Sequence, residues 1–181
     1  MKLVSKIILA STALWLSACQ APPQPLLIAP SLETAGQLPV RSYSVIDQRA
    51  HNYLLRIEYS DDQAQFSATD PALNTAINNA VKQLFVTSPN ATEAVTLRLT
   101  EALIRVEQGA VKHVAQHQVS LTLEVVDGDT TYTRDFNGKA EYESAFRADK
   151  AALERDFTAL LNQVLRDVAN DSKMRELLTR P

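Results

Sequence analysis

The sequence predicts an α+β domain of two layers, a mostly antiparallel sheet of about five strands with two main helices on one face, in the order ββαβββα. Three observations carry this expectation. Long stretches of the second half alternate apolar and polar residues, two other stretches repeat apolar residues at helical spacing, and Pro, Asn, Asp and Gly punctuate between them. Of the 181 residues 45% are hydrophobic and 22% charged, which suits one packed domain and excludes a disordered chain.

The first 18 residues stand apart from that domain. Lys2 and Lys6 precede an apolar run from Ile7 to Leu16, followed by the small residues Ser17 and Ala18, which is the anatomy of a secretory signal peptide. The run is too short to span a bilayer, because a crossing helix needs about 20 apolar residues. Residues 1–18 are therefore expected to be removed. Leu16-Ser17-Ala18-Cys19 resembles the bacterial lipobox, and the resemblance implies a diacylglycerol thioether on the Cys19 sulfur, cleavage before it, and acylation of the freed amino group. Two buried chains already anchor stably, at about 0.8 kcal/mol per methylene. Gln20, by the same resemblance, directs sorting to the outer membrane. Cys19 is the single cysteine, so no intramolecular disulfide is available.

Residues 19–39 read as a lipidated cysteine and a Pro-rich tether. Pro22, Pro23, Pro25, Pro30 and Pro39 fall here, and extended proline-rich chain of this length reaches roughly 60 Å. Two readings stand: a free spacer, or partial docking through Leu26, Leu27 and Ile28.

Residues 40–181 form the single periplasmic domain. Strands are expected over 41–47 and 53–59, rich in Tyr, Val, Ile and Leu. Asp70 reads as an N-cap with Pro71 at the first helical position, and Leu73, Ile77, Ala80, Val81 and Leu84 give one helix to about Phe85. After Pro89 and Asn90, Val95, Leu97 and Leu99 alternate with polar residues, then lose phase near Glu101 and Ala102 and regain it at Ile104 and Val106. A β-bulge accounts for the slip. Val119, Leu121, Leu123 and Val125 mark the next strand, Asp127-Gly128 its turn, and Tyr132, Phe136, Ala140 and Tyr142 one face of the last. Leu153, Phe157, Leu160, Leu161, Val164, Leu165 and Val168 stripe a long helix, and Met174, Leu177 and Leu178 continue beyond a break at 170–172.

Few residues suggest chemistry. The net charge of −3 and four scattered glycines exclude a basic nucleic-acid face and a phosphate-cradling loop; losing Lys2 and Lys6 with the signal leaves 16 basic against 21 acidic residues. His113 and His117 are four apart, yet on a strand that spacing separates them by about 13 Å, so they cannot share a metal and are expected at the surface. Asp127 and Asp129 fall short of a calcium shell. Asp61, Asp62 and Asp70 sit in polar loops with no aromatic pocket to move their pKa values. No serine occupies a nucleophile elbow. Asp47-Gln48-Arg49 is the one polar cluster with two readings: Arg49 pairs locally or stacks on Tyr53, or it offers a bidentate contact to a carboxylate or an envelope partner.

With the lipobox, the Pro-rich lead, Asp47-Gln48-Arg49, Val106-Glu107-Gln108-Gly109, Lys112-His113, Ala140-Glu141-Tyr142, Ala145-Phe146 and the closing 167–178 segment in this order, the chain resembles the YajG family of outer-membrane lipoproteins across nearly its whole length. It departs from the pattern in a short linker and at Ser88-Pro89-Asn90. The resemblance implies lipidation, the outer membrane and a periplasmic domain, with no established reaction. The expected role is non-enzymatic, with no metal, cofactor or nucleic acid: membrane attachment through the lipid, and binding or structural support of an envelope protein or cell-wall component. The alternatives are an auxiliary lipoprotein of an envelope transport machine and a cell-wall hydrolase.

Overall fold

The computed structural model describes residues 23–33, 36–59 and 63–180; the signal peptide, Leu16, Ser17, Ala18, Cys19, Asp61 and Asp62 lie outside them. In chain order the elements are β1 Leu38–Val40, β2 Ser42–Asp47, β3 Tyr53–Tyr59, β4 Ala64–Ala68, α1 Leu73–Val81, β5 Phe85–Thr87, β6 Ala94–Gln108, β7 Lys112–Asp127, β8 Thr130–Ala145, α2 Lys150–Ala169 and α3 Ser172–Leu178. The fold is α+β with an open sheet, as the alternation predicts.

Six strands make the main sheet, in the order β4-β3-β6-β7-β8, with β2 also paired to β6. Strand β6 is long enough to hold two parallel partners end to end: β2 runs beside Ala94 to Leu99, and β3 beside Ile104 to Gln108. The longest pairings, β6 with β7 and β7 with β8, are antiparallel, as is β3 with β4. A separate parallel pair joins β1 to β5. Periodicity did not foresee β1, β4 or β5.

The helix around Leu73 is shorter than expected at both ends. Ala72, which has no polar side chain to offer, occupies its N-cap, and Asp70 lies two residues before it with its backbone N–H donating to the Leu26 carbonyl at 3.0 Å. At the other end Phe85 keeps the helical apolar phase but pairs with Leu38 as the first residue of β5. The expected bulge is present, with the register slipping between Leu99 and Glu101 so that Thr100 is the extra residue. Val95, Leu97 and Leu99 are buried before the slip, Ala102, Ile104 and Val106 after it. The β7–β8 turn is Gly128-Asp129, where Gly128 takes φ +55°, a region that side chains disfavour.

Helix α2 starts at Asp149, whose carboxylate accepts from the Ala152 N–H at 3.1 Å. Its buried stripe from Leu153 to Val168 lies over β7 and β8. Gly138 on β8 permits that approach: a Cβ there would meet Val164 Cγ2 at 2.7 Å. The break at 170–172 is a capped corner. Asp171, its side chain fully buried, accepts from the Met174 N–H at 2.6 Å and the Tyr132 hydroxyl at 3.2 Å, and pairs with the Arg134 guanidinium.

The Pro-rich lead docks rather than trailing free. Leu26 and Ile28 are buried, as is Leu32, whereas Leu27 is 64% exposed. Backbone bonds tie Leu26 to Ala68 and Asp70, and the Ser31 N–H reaches Asn162 Oδ1 on α2 at 2.9 Å.

Candidate functional site

With the helices covering one face of the sheet, the other is open and polar. Cross-strand pairs brace it: Arg98 with Glu124 at 3.1 Å, Arg105 with Glu58 at 2.8 Å, Gln116 with Glu141 at 2.9 Å and Lys112 with Glu143 at 3.0 Å. Such exposed pairs stabilise little, but they leave most of the face's charges satisfied by one another.

A cleft of about 550 Å³ opens at the bulge, lined by Arg49 and His51 from the β2–β3 connection, Tyr53 at the start of β3, Thr100 and Glu101 of β6, Ser120 and Thr122 of β7, and Asp135 and Asn137 of β8. The bulge falls in the stretch of β6 between Leu99 and Ile104 that neither β2 nor β3 pairs, and the β2–β3 connection borders it.

Asp47-Gln48-Arg49 reaches this cleft, and its local reading describes the geometry. Arg49, only 6% exposed in its side chain, forks onto Asp47 with Nη2 to Oδ2 at 2.7 Å and Nε to Oδ1 at 2.9 Å. Its Nη1 donates to the Tyr53 carbonyl at 3.3 Å. Burial pushes the Asp47 carboxyl up, but hydrogen bonds from the Arg49 side chain and backbone outweigh this and hold it below the usual carboxylate range. The guanidinium is thus spent on Asp47, and the Tyr53 ring stacks on His51 at 4.9 Å instead. Gln48 extends β2 through its N–H to the Leu99 carbonyl at 2.9 Å.

The cleft's two carboxylates do not converge. Glu101 faces Ser120 and Asp135 faces Thr122, so two inter-strand spacings and two residues separate them. That places their backbones about 12 Å apart. Each carboxylate is already engaged, Glu101 by Gln118 at 2.5 Å and Asp135 by the Thr122 hydroxyl at 2.6 Å. Among the described residues no three His, Cys, Asp or Glu side chains gather as metal ligands. The cleft presents hydroxyls, an amide, engaged carboxylates and one aromatic stack.

The histidines require a correction, since neither is at the surface. His113 is 7% and His117 1% exposed, because both alternate in phase with buried Ala115 and Val119 and face the helices. His113 Nδ1 lies 3.1 Å from the Phe146 carbonyl. The His117 ring sits edge-on to Tyr142 at 5.4 Å and near Phe157 at 6.3 Å, with both nitrogens unpartnered. Burial pushes its pKa down against the pull of Asp156. Asp127 pairs with Thr130 across the β7–β8 turn, and its carboxylate accepts from the Thr92 hydroxyl ahead of β6 at 3.2 Å.

Sequence reasoning missed the cleft, whose walls come from four separate segments, and the buried Asp171, which reads as an ordinary polar break. The phase of the alternation does contain the signal for the histidines.

A family model described as an uncharacterized lipoprotein matches residues 29–179. No curated protein sequence matches significantly. Among solved structures, the chain is similar to protein XCC0632 from Xanthomonas campestris, at TM-score 0.53 and 9% identity over 83% of this chain and 95% of that one. A putative neuraminyllactose-binding hemagglutinin homolog from Helicobacter pylori matches at TM-score 0.40 and 9% identity, over 78% of this chain and 90% of that one. At these identities the first shows likeness of fold alone. Among the described residues no helix is long and apolar enough to cross a membrane.

Proposed function

The chain belongs to this family of uncharacterized lipoproteins, and on that premise we propose that it is a YajG-type lipoprotein held to the outer membrane by acyl chains on Cys19. Its domain faces the periplasm and acts without catalysis, binding or bracing another component of the envelope. The observation that carries the binding role is the cleft at the β6 bulge, where hydroxyl, amide and aromatic groups line one concave patch of an otherwise self-paired face. Sites of recognition are typically concave with a few oriented polar groups. A cell-wall hydrolase fits the same cleft poorly. Its two carboxylates are each turned to a neighbour, Glu101 to Gln118 and Asp135 to Thr122, rather than to a shared substrate position.

Photo-crosslinking in cells tests this reading. A photoreactive residue at Thr122, inside the cleft, is expected to trap a defined envelope component, and one at exposed Arg155 on α2 is not. Turnover of peptidoglycan by the purified mature protein, or equal labelling from both positions, contradicts it. The transport-machine alternative is favoured by one feature, the 16-residue β8, which has a neighbour on one side only. Crosslinks from Thr133 rather than Thr122 would select it.

A further inference from the structure

We propose that the end of the domain carrying Phe146 and Val111 rests in the phospholipid surface that holds the anchor. This rests on the reading of Cys19 as lipidated. These two are the most exposed large apolar side chains among the described residues, at 76% and 74%. Val111 sits in the β6–β7 turn and Phe146 follows β8, so both lie at one end of the sheet, close to where the chain enters the domain at Gln24.

The Phe146 backbone is held in an unusual state. Its φ is +66°, where bulky side chains are rarely found, and three neighbours fix it there. Its N–H donates to the Val111 carbonyl at 2.6 Å, and its own carbonyl accepts from Gln108 Nε2 at 3.2 Å and lies 3.1 Å from His113 Nδ1. The same Gln108 accepts from the Ala148 N–H at 2.9 Å. This clamp turns an aromatic ring out of the fold beside an exposed valine. In water that arrangement gains nothing; at a lipid surface it buries the ring.

Chain length identifies the occupant. Gln24 and Ala148 border one depression with Lys150, and Lys150 donates to the Pro25 carbonyl. Phe146 is two residues from Ala148, a span of at most about 7 Å. Cys19 is four residues before Pro23, a span of at most about 14 Å. The acylated residue and the apolar tip are therefore leashed to the same end of the domain, and the tether keeps lipid there at high effective concentration. Two side chains fall well short of the roughly 1,200 Å² that a stable protein interface buries, which argues against a second copy as the occupant. Lys112 pairs with Glu143 and Lys150 with Glu154, and the exposed Arg147 beside Phe146 adds a cation suited to phosphate headgroups.

The protein supplies its own probe site. Trp15 is the sole tryptophan and falls in the signal, so the mature chain has none. Lipid-bearing Phe146→Trp and Val111→Trp proteins, reconstituted into phosphatidylethanolamine–phosphatidylglycerol vesicles, are expected to emit blue-shifted fluorescence. Phospholipids brominated on the acyl chain should quench them several-fold more than Thr131→Trp, an exposed position about 50 Å away along β8. If the acylated proteins float with vesicles but both probes emit as in water and quench no more than Thr131→Trp, the tip proposal is wrong. If the purified protein carries no lipid mass and does not float, the anchoring reading fails and the proposal falls with it.

Discussion

Substituting Gly138 by alanine tests how closely α2 sits on the sheet. The added Cβ would lie 2.7 Å from Val164 Cγ2, 3.0 Å from Leu160 Cδ1 and 3.2 Å from Leu160 Cγ. Leu160 has rotamers to which it can retreat, but a helical valine has one strongly preferred rotamer, and Val164 is 1% exposed. Overpacking of this kind costs about 1–3 kcal/mol, offset by about 0.4–1 kcal/mol because alanine restricts the unfolded chain more than glycine. The net loss is about 1–2 kcal/mol, which lowers Tm by about 2–8 °C in a domain of this size. Urea denaturation of the mature protein measures it, and Val164→Ala supplies the control. In the double variant the shortened side chain removes the clash, so the two losses should combine to less than their sum, by about 1 kcal/mol. A Gly138→Ala protein as stable as its parent, with additive behaviour in the double variant, would refute the close-packing argument.

Three further outcomes follow from the same contacts. Asp171→Ala removes a helix cap and the partner of Tyr132 and Arg134, and should cost about 2–3 kcal/mol in urea melts, while Asp171→Asn, which retains the cap, should cost less. His117 is buried with its pKa below the ordinary value of 6.5, so the unfolded chain binds its proton more readily; the stability tied to it is complete above about pH 6.5 and falls as pH drops toward the lowered folded value. His117→Phe should flatten that part of the stability-against-pH curve and, with no unpartnered nitrogens to bury, be neutral or stabilising at pH 7; an unchanged slope would show that other groups cause it. Arg49→Ala should return the Asp47 carboxyl toward its ordinary value of 3.8, read by NMR titration.

Where side chains alternate over many residues, the pattern in the chain and the fold agree, because one face of β6, β7 and β8 is packed and the other wet. The bulge at Thr100 is visible as a slip in that pattern. Strands of three to five residues left no period to read, and Phe85 kept helical phase although it pairs with Leu38. The parallel placement of β2 and β3 along β6 depends on which strands meet, which no local pattern encodes. For the site, the two-residue spacing of Asp47 and Arg49 made their pairing readable, whereas a cleft assembled from four segments was not. The histidines were legible and misjudged: extending the phase of Val119 back to Ala115 buries His113 and His117, and polarity alone suggested the surface.

The mass of the protein extracted from membranes tests the central claim most directly, read on the intact chain and on its N-terminal peptide after density separation of the two membranes. A chain beginning at Cys19, carrying diacylglycerol and one further acyl group and recovered from the outer-membrane fraction, is the expected result. An unmodified cysteine, or residues 1–18 still attached, would contradict it.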